Sequence, residues 1–198
     1  MADPGSGPGK VDFKKTIPAY RARRGFDLID VPDLQYLMVD GHGDPNTGVF
    51  TEAVEALYPV AYKLKFASKK TLGRDYVVMP LEGLWWADDM DSFTAARDKS
   101  QWHWTLMIMV PEWIGAEMVA SVATPGVRLE TLSEGRCVQT LHVGSYDDEA
   151  GVLDEMHRSF IPSYGLRMTG KHHEIYLSDR RKTEPAKLRT ILRQPVLP

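Results

Sequence analysis

The sequence predicts an α+β protein made of a strand-helix-strand-strand module that occurs twice, with two antiparallel sheets forming a cleft. Strand-like and helix-like runs follow one another in the same order in each half of the chain. Sliding the second half over the first by 103 positions sets Gly144 on Gly41, Phe160 on Leu57 and Pro162 on Pro59. Between residues 51 and 66, Ala53, Leu57, Val60 and Leu64 recur at spacings of four, three and four, the stripe of a helix with one buried side.

Residues 1–12, rich in Gly and Pro, lack the apolar side chains needed to offset the entropy of ordering and read as a disordered leader. The remainder, 13–198, reads as a single domain of two repeats, about 30–115 and 130–198. Residues 34–40 (LQYLMVD) make a strand ending at the Gly41-His42-Gly43 turn. Asn46 or Thr47 then caps the helix 51–66, which Pro59 should kink or break. Residues 75–86 (DYVVMPLEGLWW) and 102–110 (WHWTLMIMV) read as antiparallel strands joined by the charged stretch 88–98, and 112–121 as a short helix. In the second half, 136–143 is a strand, Ser145 or Asp147 caps a helix over about 148–160, and 171–178 and 187–196 are strands. If the first half carries a loop about 11 residues longer, PLEGLW (80–85) falls on HHEIYL (172–177), and Glu82 on Glu174.

Lys and Arg number 24 against 27 Asp and Glu, a formal net charge of -3, so no global positive field exists to hold a phosphate backbone and no nucleic-acid partner is expected. The basic clusters Arg21-Ala22-Arg23-Arg24 and Arg180-Arg181-Lys182 read as solvated loop charge. No apolar run approaches the roughly 18 residues of a membrane span, and the N-terminus has no apolar signal core. The single cysteine, Cys137, heads an apolar strand and reads as an inert buried thiol. These features lead to the expectation of a cytoplasmic protein with no membrane partner.

The run GKHHEIYLSDRR, residues 170–181, carries the chemistry. Strand alternation sends His172, Glu174 and Tyr176 to one face and Ile175 and Leu177 to the other, toward helix and core. The cleft is then expected where the helix-free faces of the two modules meet. Adjacent His172 and His173 point to opposite faces and cannot bind one ion without a bulge, and HExxH and CxxC patterns are absent, so no metal is expected. All five tryptophans fall within residues 85–113, as core aromatics or as the walls of a flat pocket. For that pocket Trp86, Trp102 and Trp104 are the candidate walls, with Glu82, Tyr146 and His172 as further ligand-binding residues. A carboxylate in such surroundings either attracts a cationic or donor-bearing ligand or has its pKa raised and serves as a general base. Glu174 is the leading candidate, with Tyr176, Tyr76 and Tyr146 as possible donors to a ligand carbonyl.

The runs VVMPLEGLWW (77–86), WHWTLMIMVPEWI (102–114), HVGSYDDE (142–149) and GKHHEIYLSDRRKTEPAKLRTILRQPV (170–196) resemble those of stand-alone GyrI-like small-molecule-binding proteins, along nearly the whole chain after residue 12. The resemblance implies a duplicated strand-helix-strand-strand fold. It also implies a ligand pocket in which Glu174 and Tyr176 match a Glu-x-Tyr pair known from the ligand sensors of AraC-type and MerR-type regulators. Some stand-alone members hydrolyse the strained cyclopropane of DNA-alkylating natural products of the yatakemycin and duocarmycin type, protecting the cell.

The expectation drawn from residues and resemblance together is a protein that binds a planar aromatic small molecule and hydrolyses cyclopropane-bearing electrophiles for detoxification. Glu174 would activate water and Tyr176 or Tyr76 would donate to the carbonyl, with no metal or organic cofactor. The alternatives are a non-catalytic sequestering protein, which shares the same residue types, and a protein-interaction module acting through its surface, whose partner the sequence does not name.

Overall fold

The computed structural model describes residues 9–88 and 98–198. Most of the expected charged connection 88–98, and of the expected leader 1–12, lies outside them. Order nonetheless begins inside that leader, because Val11 bridges to Tyr76 and Asp12 accepts from the backbone N–H of Lys14 to cap helix α1 (Phe13–Thr16).

After α1 come β1 (Asp27–Val31), β2 (Leu34–His42) and the long helix α2 (Gly48–Ala67), followed by β3 (Glu82–Trp86), β4 (His103–Met109) and α3 (Ala116–Ala120). The second half runs β5 (Arg128–Leu132), β6 (Gly135–Val143), α4 (Glu149–Glu155), α5 (Ile161–Ser163), β7 (Arg167–Met168), β8 (His172–Tyr176) and β9 (Arg189–Leu197). The predicted strand 75–86 is shorter than expected: residues before Glu82 leave the ladder, and Asp75 and Val77 instead exchange backbone bonds with Val11 of the N-terminal segment. Pro80, which cannot donate to a ladder, marks that boundary.

Eight strands form one antiparallel path in the order β1-β6-β9-β8-β3-β4-β2-β5, with β7 attached to β9. The order is symmetric about its centre. Each half contributes three strands, β2-β4-β3 and β6-β9-β8, and the halves join edge to edge where β3 meets β8. The outermost strands are exchanged: β1 precedes β2 in the chain but pairs with β6, and β5 precedes β6 but pairs with β2. Sequence periodicity did not reveal β1 or β5, because each is short and half exposed.

Thr47, one of the two expected caps, takes the position before α2, but its hydroxyl donates back to the Asp44 carbonyl rather than capping the helix. Helix α2 buries Ala53, Leu57, Val60 and Leu64 against β2 and β4. Pro59 sits within it and the chain stays helical on both sides. Proline there removes one N–H and leaves the Glu55 carbonyl without its helical donor, and both residues lie on the side of α2 that borders a cleft rather than packed core. The second-half helix, α4 with the wider π-helical turn Met156–Phe160, packs Met156 with Val138, Ile161, Leu192 and Val196. Among the described residues no helix is long and apolar enough to cross a membrane.

Candidate functional site

A cleft of about 1550 Å³ lies between α2 and α4, floored by the central strands β3 and β8. It is therefore on the helix-bearing face of the sheet, not between helix-free faces. Register fixes which side chains reach it. Gly83 pairs with Glu174 and Trp85 with His172, so these four share the cleft face, while Glu82 pairs with Ile175 and Leu84 with His173 on the other. Ile175, fully buried, thus points away from the helices, a correction to its expected direction. The same register corrects the expected match of Glu82 to Glu174: Gly83, not Glu82, faces Glu174.

On the cleft floor three side chains form a chain of hydrogen bonds. Trp85 Nε1 donates to the Tyr176 hydroxyl at 3.0 Å, and that hydroxyl donates to Glu174 Oε2 at 2.8 Å. Burial, and then the Glu174 carboxylate, hold the Tyr176 pKa well above its ordinary value, so it keeps the proton that it donates. Glu174 Oε1 is 3.5 Å from His172 Nε2, too long for a hydrogen bond. Gly83 makes the chain possible, since a Cβ there would lie 2.8 Å from Trp85 Nε1 and 3.2 Å from the Tyr176 hydroxyl.

Aromatic rings wall this floor. Phe50 stacks on Trp85 with centroids 6.2 Å apart, Trp102 meets Trp85 edge-on at 6.0 Å, and Tyr146 meets Tyr176 edge-on at 5.7 Å. Arg180, read from sequence as solvated charge, sits on the loop between β8 and β9 with its guanidinium 5.8 Å from the Phe50 centroid. Deeper along α4, His157 and His172 rings meet edge-on at 6.1 Å, and burial, then His172, pushes the His157 pKa down to about 4.

Glu174, Tyr176, Trp102, Tyr146 and His172 are thus brought together as expected residues of one cleft. Four others are placed elsewhere. Tyr76 is 1 % exposed, edge-on to Trp113 at 6.1 Å, in the core below α2. Trp104 is also core, its ring packed against Gly41, where a Cβ would come within 1.9 Å of it. Trp86 stacks on His103 with the Lys171 ammonium 3.2 Å from its centroid, on the face opposite Trp85.

Glu82, the fourth, belongs to a buried charge network on the face away from the cleft. It accepts from the Tyr20 hydroxyl at 2.6 Å and from His173 Nε2 at 2.9 Å. His173 Nδ1 lies 3.0 Å from Glu134, whose other oxygen accepts from Arg193 at 2.8 Å. Burial opposes the charge on His173, yet Glu134 and Glu82 outweigh it and raise its pKa, so the imidazolium donates to both carboxylates. Arg193 also donates to the Ala19 carbonyl at 2.6 Å, which ties the N-terminal segment to this face. Cys137 lies beside that segment, and burial pushes its thiol up to about 12. Among the described residues no group of three or more His, Cys, Asp or Glu side chains is placed to hold a metal ion.

Sequence reasoning missed the helix side of the cleft. Phe50, Val54 and Glu55 of α2 line it, and the shift of 103 positions carries them onto Leu153 of α4 and His157 and Arg158 of the wider turn that follows it, which line it too. The same shift carries cleft-lining Asn46 onto Glu149, at the start of α4. Glu149 is 4 % exposed, and burial followed by the nearby Glu174 carboxylate pushes its pKa up to about 10.

A family profile described as the GyrI-like small molecule binding domain matches residues 26–197. Three solved structures from Listeria innocua resemble the chain along almost its whole length. One, an uncharacterized conserved protein, is 39 % identical with a TM-score of 0.86, covering 95 % of this chain and 100 % of that one. A second, a hydrolase, is 38 % identical with a TM-score of 0.84, covering 96 % and 100 %. A third, also a hydrolase, is 39 % identical with a TM-score of 0.81, covering 95 % and 100 %. A comparison with curated proteins finds no match. With its sheet, cleft and profile in agreement, the chain belongs to the family of GyrI-like small-molecule-binding domains.

Proposed function

We propose that the cleft binds planar, hydrophobic electrophiles and hydrolyses the strained cyclopropane of DNA-alkylating natural products, as a means of detoxification. The observation that carries this reading is the Trp85, Tyr176, Glu174 chain on the floor of an aromatic cleft. The hydrolase names of two Listeria innocua proteins of similar sequence add support. A flat ligand slides between the rings of Phe50, Trp102 and Tyr146, where stacking contributes about 0.5–1.5 kcal/mol per ring beyond area burial.

Glu174 acts on water. Tyr176 occupies Oε2 and fixes the carboxylate, leaving Oε1 to accept a proton from a water molecule. The water oxygen bonds to the cyclopropane methylene, the strained carbon–carbon bond breaks, and its electrons pass through the conjugated ring to the carbonyl oxygen, which takes up a proton. The net change is addition of one water. Tyr176 is thus a positioning residue and not the carbonyl donor, because its own proton points at Glu174.

Incubation of the protein and its Glu174→Gln variant with a duocarmycin-type cyclopropane compound, followed by mass spectrometry, tests the reading. Gain of one water with the wild type alone is the expected result. Binding without turnover by either protein would overturn hydrolysis in favour of sequestration.

A further inference from the structure

We infer that Glu149 is a second catalytic residue of this cleft, a neutral carboxylic acid that donates its proton to the carbonyl oxygen of the ligand while Glu174 takes the proton of water. The inference rests on the hydrolytic reading above.

Three observations lead to it. Glu149 lines the same cleft as Glu174, from the α4 wall above the floor that carries Glu174, at the first residue of α4. Its Oε1 is buried and has no hydrogen-bond partner, and the Thr190 hydroxyl, the donor that favours the anion, is outweighed by burial and by the Glu174 carboxylate. A carboxylate desolvated with one oxygen unpaired and another carboxylate nearby is so unfavourable that such a group takes up a proton instead. Finally, the hydroxyl expected to serve the ligand carbonyl is engaged elsewhere, since Tyr176 accepts from Trp85 and donates to Glu174. The ionisable neighbours that act on Glu149 are Glu174 and Asp147, both acidic, and they favour its neutral form. A carboxyl that keeps its proton beside one that accepts from Tyr176 can divide the roles of acid and base with it.

The proton balance closes. Glu174 gains one proton from water, Glu149 loses one to the former carbonyl oxygen, and return of a proton from Glu174 to Glu149 through solvent restores the starting state. A cleft with one neutral and one charged carboxyl also defines its substrate class. It suits a neutral flat molecule with an acceptor oxygen at one end and the electrophilic carbon near Glu174, rather than a dication.

The test compares wild type with Glu149→Gln, Glu174→Gln and Tyr146→Phe, the last because Tyr146 also lines the cleft and its ring meets that of Tyr176. Glutamine keeps the shape and hydrogen-bond donation of a neutral glutamate but has no proton to transfer. Glu149→Gln should therefore bind the cyclopropane compound within a few fold of wild type, by tryptophan quenching, and turn it over about 100-fold or more slowly. The infrared difference between wild type and Glu149→Gln at neutral pH should contain the stretch of a protonated carboxyl. Absence of that band overturns the inference whatever the enzyme turns over. Full activity in Glu149→Gln with none in Glu174→Gln overturns it and leaves the hydrolytic reading standing, and loss of turnover in Tyr146→Phe alone moves the donor role to Tyr146. If wild type turns nothing over, the hydrolytic reading fails and the catalytic role of Glu149 fails with it, even with the band present.

Discussion

Gly83 lies directly across the β3–β8 ladder from Glu174, and the space its missing side chain leaves is filled by the Trp85 indole and the Tyr176 hydroxyl. The polar chain of the cleft therefore depends on a residue with no side chain. Gly83→Ala places a methyl group 2.8 Å from Trp85 Nε1. Overpacking of this kind costs about 1–3 kcal/mol. Ligand quenching and turnover should fall further than a thermal melt would suggest, because the displaced groups are those that hold Glu174.

Tyr176→Phe keeps the ring and removes the proton donated to Glu174. A hydrogen bond to a charged group contributes roughly 1.5–3 kcal/mol, so turnover should drop about 10- to 100-fold with ligand binding nearly unchanged. Tyr76→Phe is the control: its hydroxyl is buried without a partner outside the cleft, so activity should be unaffected and stability equal or higher. Loss of activity in Tyr76→Phe would return that tyrosine to the site.

The buried network on the far face predicts an acid-sensitive fold. Burial alone would raise Glu134, but His173 and Arg193 hold it at about 2. For a carboxyl lowered from about 4.5, the linked stability is present above pH 4.5 and lost as pH falls toward 2, on the order of 3 kcal/mol. His173 has the opposite sign: its raised pKa contributes fully below about pH 6.5, and that contribution is lost as pH rises through the folded value. Arg193→Met leaves the two carboxylates sharing one imidazolium and should cost about 3–5 kcal/mol. Urea titrations of wild type and variant across pH would read both effects.

Glu149 predicts stability and activity moving in opposite directions. A carboxyl whose pKa is raised on folding makes the native state bind the extra proton, so stability falls as pH rises from its unfolded value toward about 10. Glu149→Gln removes that dependence and should melt higher than wild type at pH 8, by roughly 0.5–2 kcal/mol, while losing turnover. A lower melting temperature for the variant would show that the carboxyl is accommodated as an anion.

The central strands, the α2 stripe and the pairing of Glu174 with Tyr176 were legible because each follows from local periodicity. Which of His172, Glu174, Tyr176 and Ile175 share a face was legible within β8, but not which face the helices cover nor what β3 sets opposite, since alternation orders residues along one strand and says nothing of its neighbours. That is why Glu82, in a run aligned with HHEIYL, ended in a buried ion network, while silent Gly83 took the place beside Glu174. Glu149 looked like an ordinary acid at a helix start. The shift of 103 positions, extended from the strands into the helices, would have made it the counterpart of Asn46 on the facing wall of one cleft.

The exchange of β1 and β5 between the halves means that neither half is a finished object. A fragment ending before β5 would keep β1 without a partner and leave β2 as a bare edge open to another chain. Two copies of such a fragment could satisfy each other only by trading arms around a twofold axis. The present chain is the covalent form of that embrace, and its two walls can diverge, as Asn46 and Glu149 have, because each repeat is free to carry its own side chains.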